Sequence, residues 1–243
     1  MEKSALIKLK EQLSKLSYFE EKQRNLYLKQ LLENEIQGPL TGIPSIDKPW
    51  LKYYTNEQIE TDMPKMSAYK YLFERNKKFL GRIALSYYGK KITFDELFMR
   101  IEETAKALKM MGVKENDIVT ISLPNTPEAV YLFYAMSKIG AIANMVDPRT
   151  SVEGLKNYIE EVESDLVIIV DSCYNKVKKL RKESVVKQIV AVSPAESLPF
   201  GLKIGYKTKE IINNLKNPKE KIVLEDGTMN WSQFITNGAE YRM

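Results

Sequence analysis

The sequence predicts an α/β protein: a doubly wound, mostly parallel sheet with helices on both faces, preceded by an N-terminal helical and extended arm. Three observations carry this. Residues 118–148, IVTISLPNTPEAVYLFYAMSKIGAIANMVDP, read as strand, tight turn, helix and strand, and two strands joined by a helix of that length must run parallel. Leu166–Val170, LVIIV, is an unbroken apolar run, the pattern of a strand covered on both faces. Between residues 118 and 192 strand and helix signals alternate throughout, which is the rhythm of βαβ units.

In chain order, residues 2–36 read as helical, with Leu6, Leu9, Leu13 and Leu16 making one apolar stripe. Ser17 and Glu20 have capping-box spacing for a second helix, which continues through Leu28, Leu31 and Leu32 and ends at Gly38-Pro39. Two heptads are too few for a coiled-coil dimer arm, so an amphipathic hairpin laid on the main domain is the favoured reading. Residues 39–64 are rich in Pro, Gly, Thr and Asn without a period, and predict an extended wrapping segment. Trp50, Tyr53 and Tyr54 are its expected anchors, with stacking on a ligand as the alternative. Residues 1–65 therefore form the arm, and residues 66–243 the main domain.

Within the main domain, Ser67–Lys77 predicts a helix with Tyr69, Leu72 and Phe73 on one face. Ile83–Tyr88 alternates like a strand, and Gly89-Lys90 turns it into a hairpin with Ile92. The Gly89-Lys90 pair lacks the flanking Gly and Ser/Thr of a phosphate loop. Thr93 and Glu96 form another capping box, opening a helix that presents Leu97, Ile101, Ala105 and Leu108 and ends at Gly112. In the central unit, Thr126 caps a helix with Pro127 at its first position and Gly140 as a left-handed stop. Ala129–Met136 has no polar face, which predicts burial on more than one side. Beyond it, Ser151 caps a helix facing inward through Leu155, Ile159 and Val162. Asp171 or Ser172 caps another with Val177 and Leu180 inward, and Val186–Val192 is a further strand. Residues 194–205 read as loop, Lys209–Leu215 as a short helix and Ile222–Leu224 as a short strand.

Composition excludes several chemistries. There is no histidine and one cysteine, Cys173, so Ser-His-Asp and Cys-His systems, disulfides within the chain and cysteine-cluster metal sites are ruled out. A net charge of +5, from 37 basic and 32 acidic residues, is too mild for a nucleic-acid partner. The densest basic cluster, Lys176, Lys178, Lys179, Arg181 and Lys182, reads as a solvated helix face, with attraction to an anionic surface as the alternative. No run approaches the roughly 20 apolar residues of a membrane span, and the first residues lack a signal-peptide core. A cytoplasmic protein with no integral membrane segment is expected.

Ser137–Pro148, SKIGAIANMVDP, resembles the second core motif of the AMP-forming adenylate enzymes, the superfamily of acyl-CoA synthetases, luciferases and peptide-synthetase adenylation domains. Ile92–Leu97, ITFDEL, resembles their first core motif, and Asn230–Ile235, NWSQFI, their Trp-x-x-Phe helix. The likeness runs in order from about Tyr71 to Phe234. It implies that residues 66–243 are the first half of the large N-terminal domain of an acyl-CoA synthetase, and the leader Pro49-Trp50-Leu51 points to the fatty-acid type. It also implies ATP, Mg and CoA as cofactors of the full-length enzyme, which would form an acyl-adenylate and then an acyl-CoA.

The family's Ser/Thr/Gly loop ending in Pro-Lys, its Thr-Glu pair, its ribose-binding Asp and its C-terminal lysine have no counterpart among these 243 residues. No catalytic residue and no metal ligand is therefore carried over, cofactor-binding residues stay unassigned, and the chain is expected to be inactive alone. Asp147 ends a strand where open α/β sheets place ligands, but Asp147-Pro148 reads better as a turn. Trp231 and Phe234 are expected to pack. The expected partners are the rest of the same polypeptide and a carboxylic acid, fatty in character. Self-association is also expected, because half a domain leaves apolar surface uncovered. Two alternatives stay open: a short non-catalytic binding or assembly module, and an adenylation fragment of a peptide synthetase.

Overall fold

The computed structural model describes residues 41–216, 223–225 and 227–242. The helical hairpin expected over residues 2–36 lies outside them, as does Ile222 of the strand expected at Ile222–Leu224. The chain divides into two units, Met1–Pro64 and Lys65–Met243.

In the first unit, the segment expected to be extended contains helical turns. These are α1 (Pro44–Asp47), a 3-10 turn (Pro49–Tyr53) and α2 (Asn56–Glu60). The prolines that read as breakers stand at the first helical position of α1 and of the 3-10 turn, where the missing N–H is no loss. Thr55 and Gln58 make a reciprocal capping box on α2, with Gln58 N donating to Thr55 Oγ1 at 3.3 Å and Thr55 N to Gln58 Oε1 at 2.9 Å. The rings of Trp50, Tyr53 and Tyr54 are exposed.

The second unit opens with α3 (Ala68–Asn76), capped by the Ser67 hydroxyl. The hairpin β1 (Ile83–Tyr87) and β2 (Lys90–Thr93) pairs antiparallel. Tyr88 and Gly89 sit at φ 48° and 86°, the two left-handed residues of a type I′ turn. Next comes α4 (Phe94–Met110), whose Leu97, Ile101, Ala105 and Leu108 are all buried. Half of the expected capping box forms: Glu96 N donates to Thr93 Oγ1 at 3.3 Å. The helix ends in a Schellman motif at Gly112, φ 89°, with Val113 N bonded to Leu108 O and Gly112 N to Lys109 O.

The central sheet comprises β3 (Ile118–Ser122), β4 (Ile142–Met145), β5 (Leu166–Val170), β6 (Gln188–Val192) and β7 (Thr228–Asn230). Their spatial order is β4-β3-β5-β6-β7, and every neighbouring pair is parallel. Side chains alternate across β5. Leu166, Ile168 and Val170 enter a core with α3, α4 and the helix α5 (Pro127–Ile139), while Val167 and Ile169 enter a second core with α6 (Val152–Glu161), α7 (Tyr174–Val177) and α8 (Leu180–Glu183). Both faces of the sheet are covered, which is why this strand shows no polar alternation.

Packing of α5 is tighter on one side than its composition predicts. It lies against α4, α3 and β4, and Leu132, Ala135 and Met136 are fully buried, yet Phe133 is 42% exposed. Thr126 has the extended backbone of an N-cap but its side chain caps nothing. Gly140 stops the helix at φ 76°, as expected.

Three local readings are corrected. The single helix expected after Val170 is a 3-10 turn followed by the short α7 and α8, although Val177 and Leu180 do face inward. The loop and short helix expected over residues 194–215 are largely one 17-residue helix, α9 (Phe200–Lys216); Gly201 and Gly205 lie inside it, and neither adopts a left-handed φ. The last strand is Thr228–Asn230, followed at once by α10 (Trp231–Gly238) with an Asn230–Gln233 capping box. Trp231 and Phe234 are buried, as expected of packing residues.

Candidate functional site

In an open parallel sheet, ligands bind beyond the carboxyl ends of the strands, where the strand order reverses. Here β4 lies on one side of β3 and all later strands on the other. The reversal therefore falls between β3 and β5, flanked by the segments Leu123–Asn125 and Asp171–Cys173.

An apolar cleft of about 430 Å³ opens at this edge, between the hairpin and the first half of α5, lined by Leu85, Thr126, Val130, Phe133, Tyr134 and Met145 among others. The apolar face of α5 turned away from the core lines this cleft, with Phe133 exposed at its surface. The hairpin is held over the edge by Tyr87, whose hydroxyl donates to Pro194 O at 3.1 Å, just past the end of β6.

A second, polar cavity of about 280 Å³ adjoins α4 and α10 and is lined by Arg100, Glu128, Tyr131, Ser197, Lys203 and Trp231 among others. Glu128 is only 1% exposed. The Ser197 hydroxyl donates to its Oε1 at 2.5 Å, while Oε2 has no hydrogen-bond partner among the described residues. Burial pushes this carboxyl above the ordinary range, against the opposing pull of the Ser197 bond. Burial likewise pushes the Tyr131 hydroxyl up to about 12. The nearby cations are held by other acids: Arg100 by Glu103 at 2.9 Å, Lys203 by Glu196 at 3.8 Å and Lys90 by Glu96 at 3.9 Å. Glu128 is thus suited to hold a proton.

Asp147 stands exposed past β4. Its carboxylate accepts from Arg149 N at 2.8 Å, Nε at 3.0 Å and an Nη at 2.6 Å, and its carbonyl accepts from Thr150 N. The Arg149 bonds hold its carboxyl down at about 2. This is a closed turn, as the sequence reading preferred. Past β5, Asp171 accepts from Ser172 N at 2.6 Å; burial pushes its carboxyl up and the neighbouring Ser193 draws it back.

These groups do not fit a magnesium–nucleotide site. Among the described residues no three Asp, Glu or Cys side chains converge as metal ligands. Asp147 is already committed to Arg149, and desolvation raises the carboxyls of the buried Glu128 and the half-buried Asp171, which opposes their ionised, metal-binding forms. No step through ATP, Mg or CoA is derived from this chain. The pairing of Glu128 with Ser197 and of Asp171 with Ser193 escaped sequence reasoning, because the partners lie far apart in the chain. The one available signal was an acid in the first turn of an otherwise apolar helix.

Comparison with known proteins places these features in context. The family described as AMP-binding enzyme matches residues 72–226. A long-chain-fatty-acid–CoA ligase of Bacillus subtilis is 29% identical over 160 residues, covering 65% of this chain and 29% of the relative. An acetyl-coenzyme A synthetase of Wolinella succinogenes is 37% identical over 123 residues, covering 50% of this chain and 19% of the relative. The crystal structure of coronafacic acid ligase from Pectobacterium brasiliense superposes with a TM-score of 0.55 at 20% identity, over 73% of this chain and 31% of that one. The chain spans less than a third of the length of the curated relatives it matches. No described helix is long and apolar enough to cross a membrane.

Proposed function

This chain belongs to the AMP-binding enzyme family, and from that premise we propose that it is the first part of an acyl-CoA ligase that activates a hydrophobic, fatty-type carboxylic acid. In the whole protein ATP would convert the acid to an acyl-adenylate, and the CoA thiol would then take the acyl group. In this reading residues 1–65 are an arm, and residues 66–243 supply the first half of the large N-terminal domain. They contribute scaffold and one apolar wall, while the phosphate, metal and ribose contacts come from residues outside this chain.

One observation carries the preference for a hydrophobic acid. The cleft at the carboxyl edge of the sheet is lined by Leu85, Val130, Phe133 and Met145, a surface suited to an alkyl chain and larger than acetate requires. The likeness to an acetyl-coenzyme A synthetase favours a second reading, with acetate as the substrate.

The test is ATP–pyrophosphate exchange by the full-length gene product across acids from acetate to palmitate. Exchange rising with chain length supports the proposal. Preference for acetate selects the second reading. Absence of exchange with every acid would leave a non-catalytic module. The 243-residue chain alone is expected to form no acyl-adenylate.

A further inference from the structure

Helix α9 (Phe200–Lys216) carries its main apolar sector outward. It meets the domain through Lys203 and Tyr206 in its first two turns, Leu202 beside them is 51% exposed, and from Lys207 to Lys216 every described side chain is exposed. Lys203 donates to Glu196 O at 3.0 Å and pairs with the Glu196 carboxylate, and Tyr206 is half-buried. Its outward side carries Phe200 at 81%, Leu215 at 76%, Ile211 at 60% and Ile204 at 50% exposure. At 100° per residue these four share an arc of about 60°. Ile212, 45% exposed, widens the apolar sector on one side. Exposed lysines border it: Lys207 at one edge, Lys209 and Lys216 at the other. Four lysines against the single Glu210 leave the helix strongly basic.

We propose that the outward face of α9 docks on an anionic phospholipid surface, with Phe200, Ile204, Ile211 and Leu215 entering the headgroup–acyl boundary and Lys207, Lys209 and Lys216 reaching the lipid phosphates. An apolar arc bordered on both sides by lysines is the pattern of helices that lie in a membrane interface. The long lysine stems let the ammonium groups reach outward while their methylenes stay with the apolar face. A second copy of this chain fits less well. Apposing two such faces would bring the lysine borders of both copies together, and like charges across an interface oppose association. Docking would set the chain on a bilayer without crossing it.

The test is co-sedimentation of the 243-residue chain with vesicles of phosphatidylcholine alone and of phosphatidylcholine with about 30% phosphatidylglycerol. Binding is expected to the anionic vesicles and to weaken with salt. The triple substitution Phe200→Ser, Ile211→Ser, Leu215→Ser should reduce it about ten-fold or more. Lys207→Gln and Lys209→Gln should each reduce it about five-fold. All five positions are exposed, so unchanged circular dichroism should accompany each loss. Failure to bind anionic vesicles overturns the proposal, as does binding that the triple variant leaves intact. A dimer in light scattering that the triple substitution dissolves, without vesicle binding, would assign the face to a second copy instead.

Discussion

The Ser197 hydroxyl donates to Glu128 Oε1 at 2.5 Å, closing 69 residues of chain onto the first turn of α5. The bond joins the loop after β6 to the helix after β3, and so ties together the two sides of the strand-order reversal. Because burial raises the carboxyl above its ordinary 4.5, the folded chain holds this proton more tightly than the unfolded one. The stabilisation is complete below the ordinary carboxylate range and is lost as pH rises through the folded midpoint. Glu128→Gln should remove that slope and match or exceed the parent at neutral pH. Ser197→Ala should cost about 1–3 kcal/mol, because it leaves a buried carboxyl without its donor. Denaturant unfolding between about pH 4 and about pH 8 reads both effects.

Gly238 packs against α4 so closely that a Cβ would stand 2.4 Å from Ala107 Cα and 2.5 Å from its backbone N. Alanine favours a helix over glycine by about 1 kcal/mol, yet Gly238→Ala should destabilise by about 1–3 kcal/mol, because backbone rather than a flexible side chain must move. Thermal unfolding of the single variant checks the sign.

Asp147 is held at about 2 by Arg149. Arg149→Ala should return it towards its ordinary 3.8, as followed by side-chain carboxyl NMR. Both side chains are exposed, so global stability should not change measurably.

Neighbouring α5 residues should respond very differently to truncation. Leu132 is fully buried and Phe133 is 42% exposed. Leu132→Ala should cost about 2–5 kcal/mol, whereas Phe133→Ala should cost less than about 1 kcal/mol and widen the cleft. If the proposed substrate class is right, Phe133→Ala in the full-length enzyme should shift preference towards bulkier acids, measured by exchange rates.

Much of the fold was legible because local chemistry and tertiary packing agree. The Gly140 stop, the turn at Gly89, the buried stripe Leu97–Leu108 and the apolar run of β5 each follow from a single stretch of sequence. Readings failed where a local signal had two meanings. Pro44 and Pro49 begin helical turns instead of breaking them, and Gly201 and Gly205 lie inside α9. The candidate site was less legible still. Its cleft is assembled from β1, α5 and the end of β4, and its buried acid finds a partner 69 residues away. No periodicity records such distances.

The strand order has a consequence for synthesis on the ribosome. β3 and β4 are consecutive strands and can pair as soon as β4 has emerged, but the other flank of β3 is filled by β5. Until residues 166–170 have emerged, the strand destined for the interior of the sheet presents a bare row of amides and carbonyls to any passing nascent chain. Slowing translation between α5 and β5 should therefore increase the demand for chaperones, whereas a pause after β6 should be tolerated.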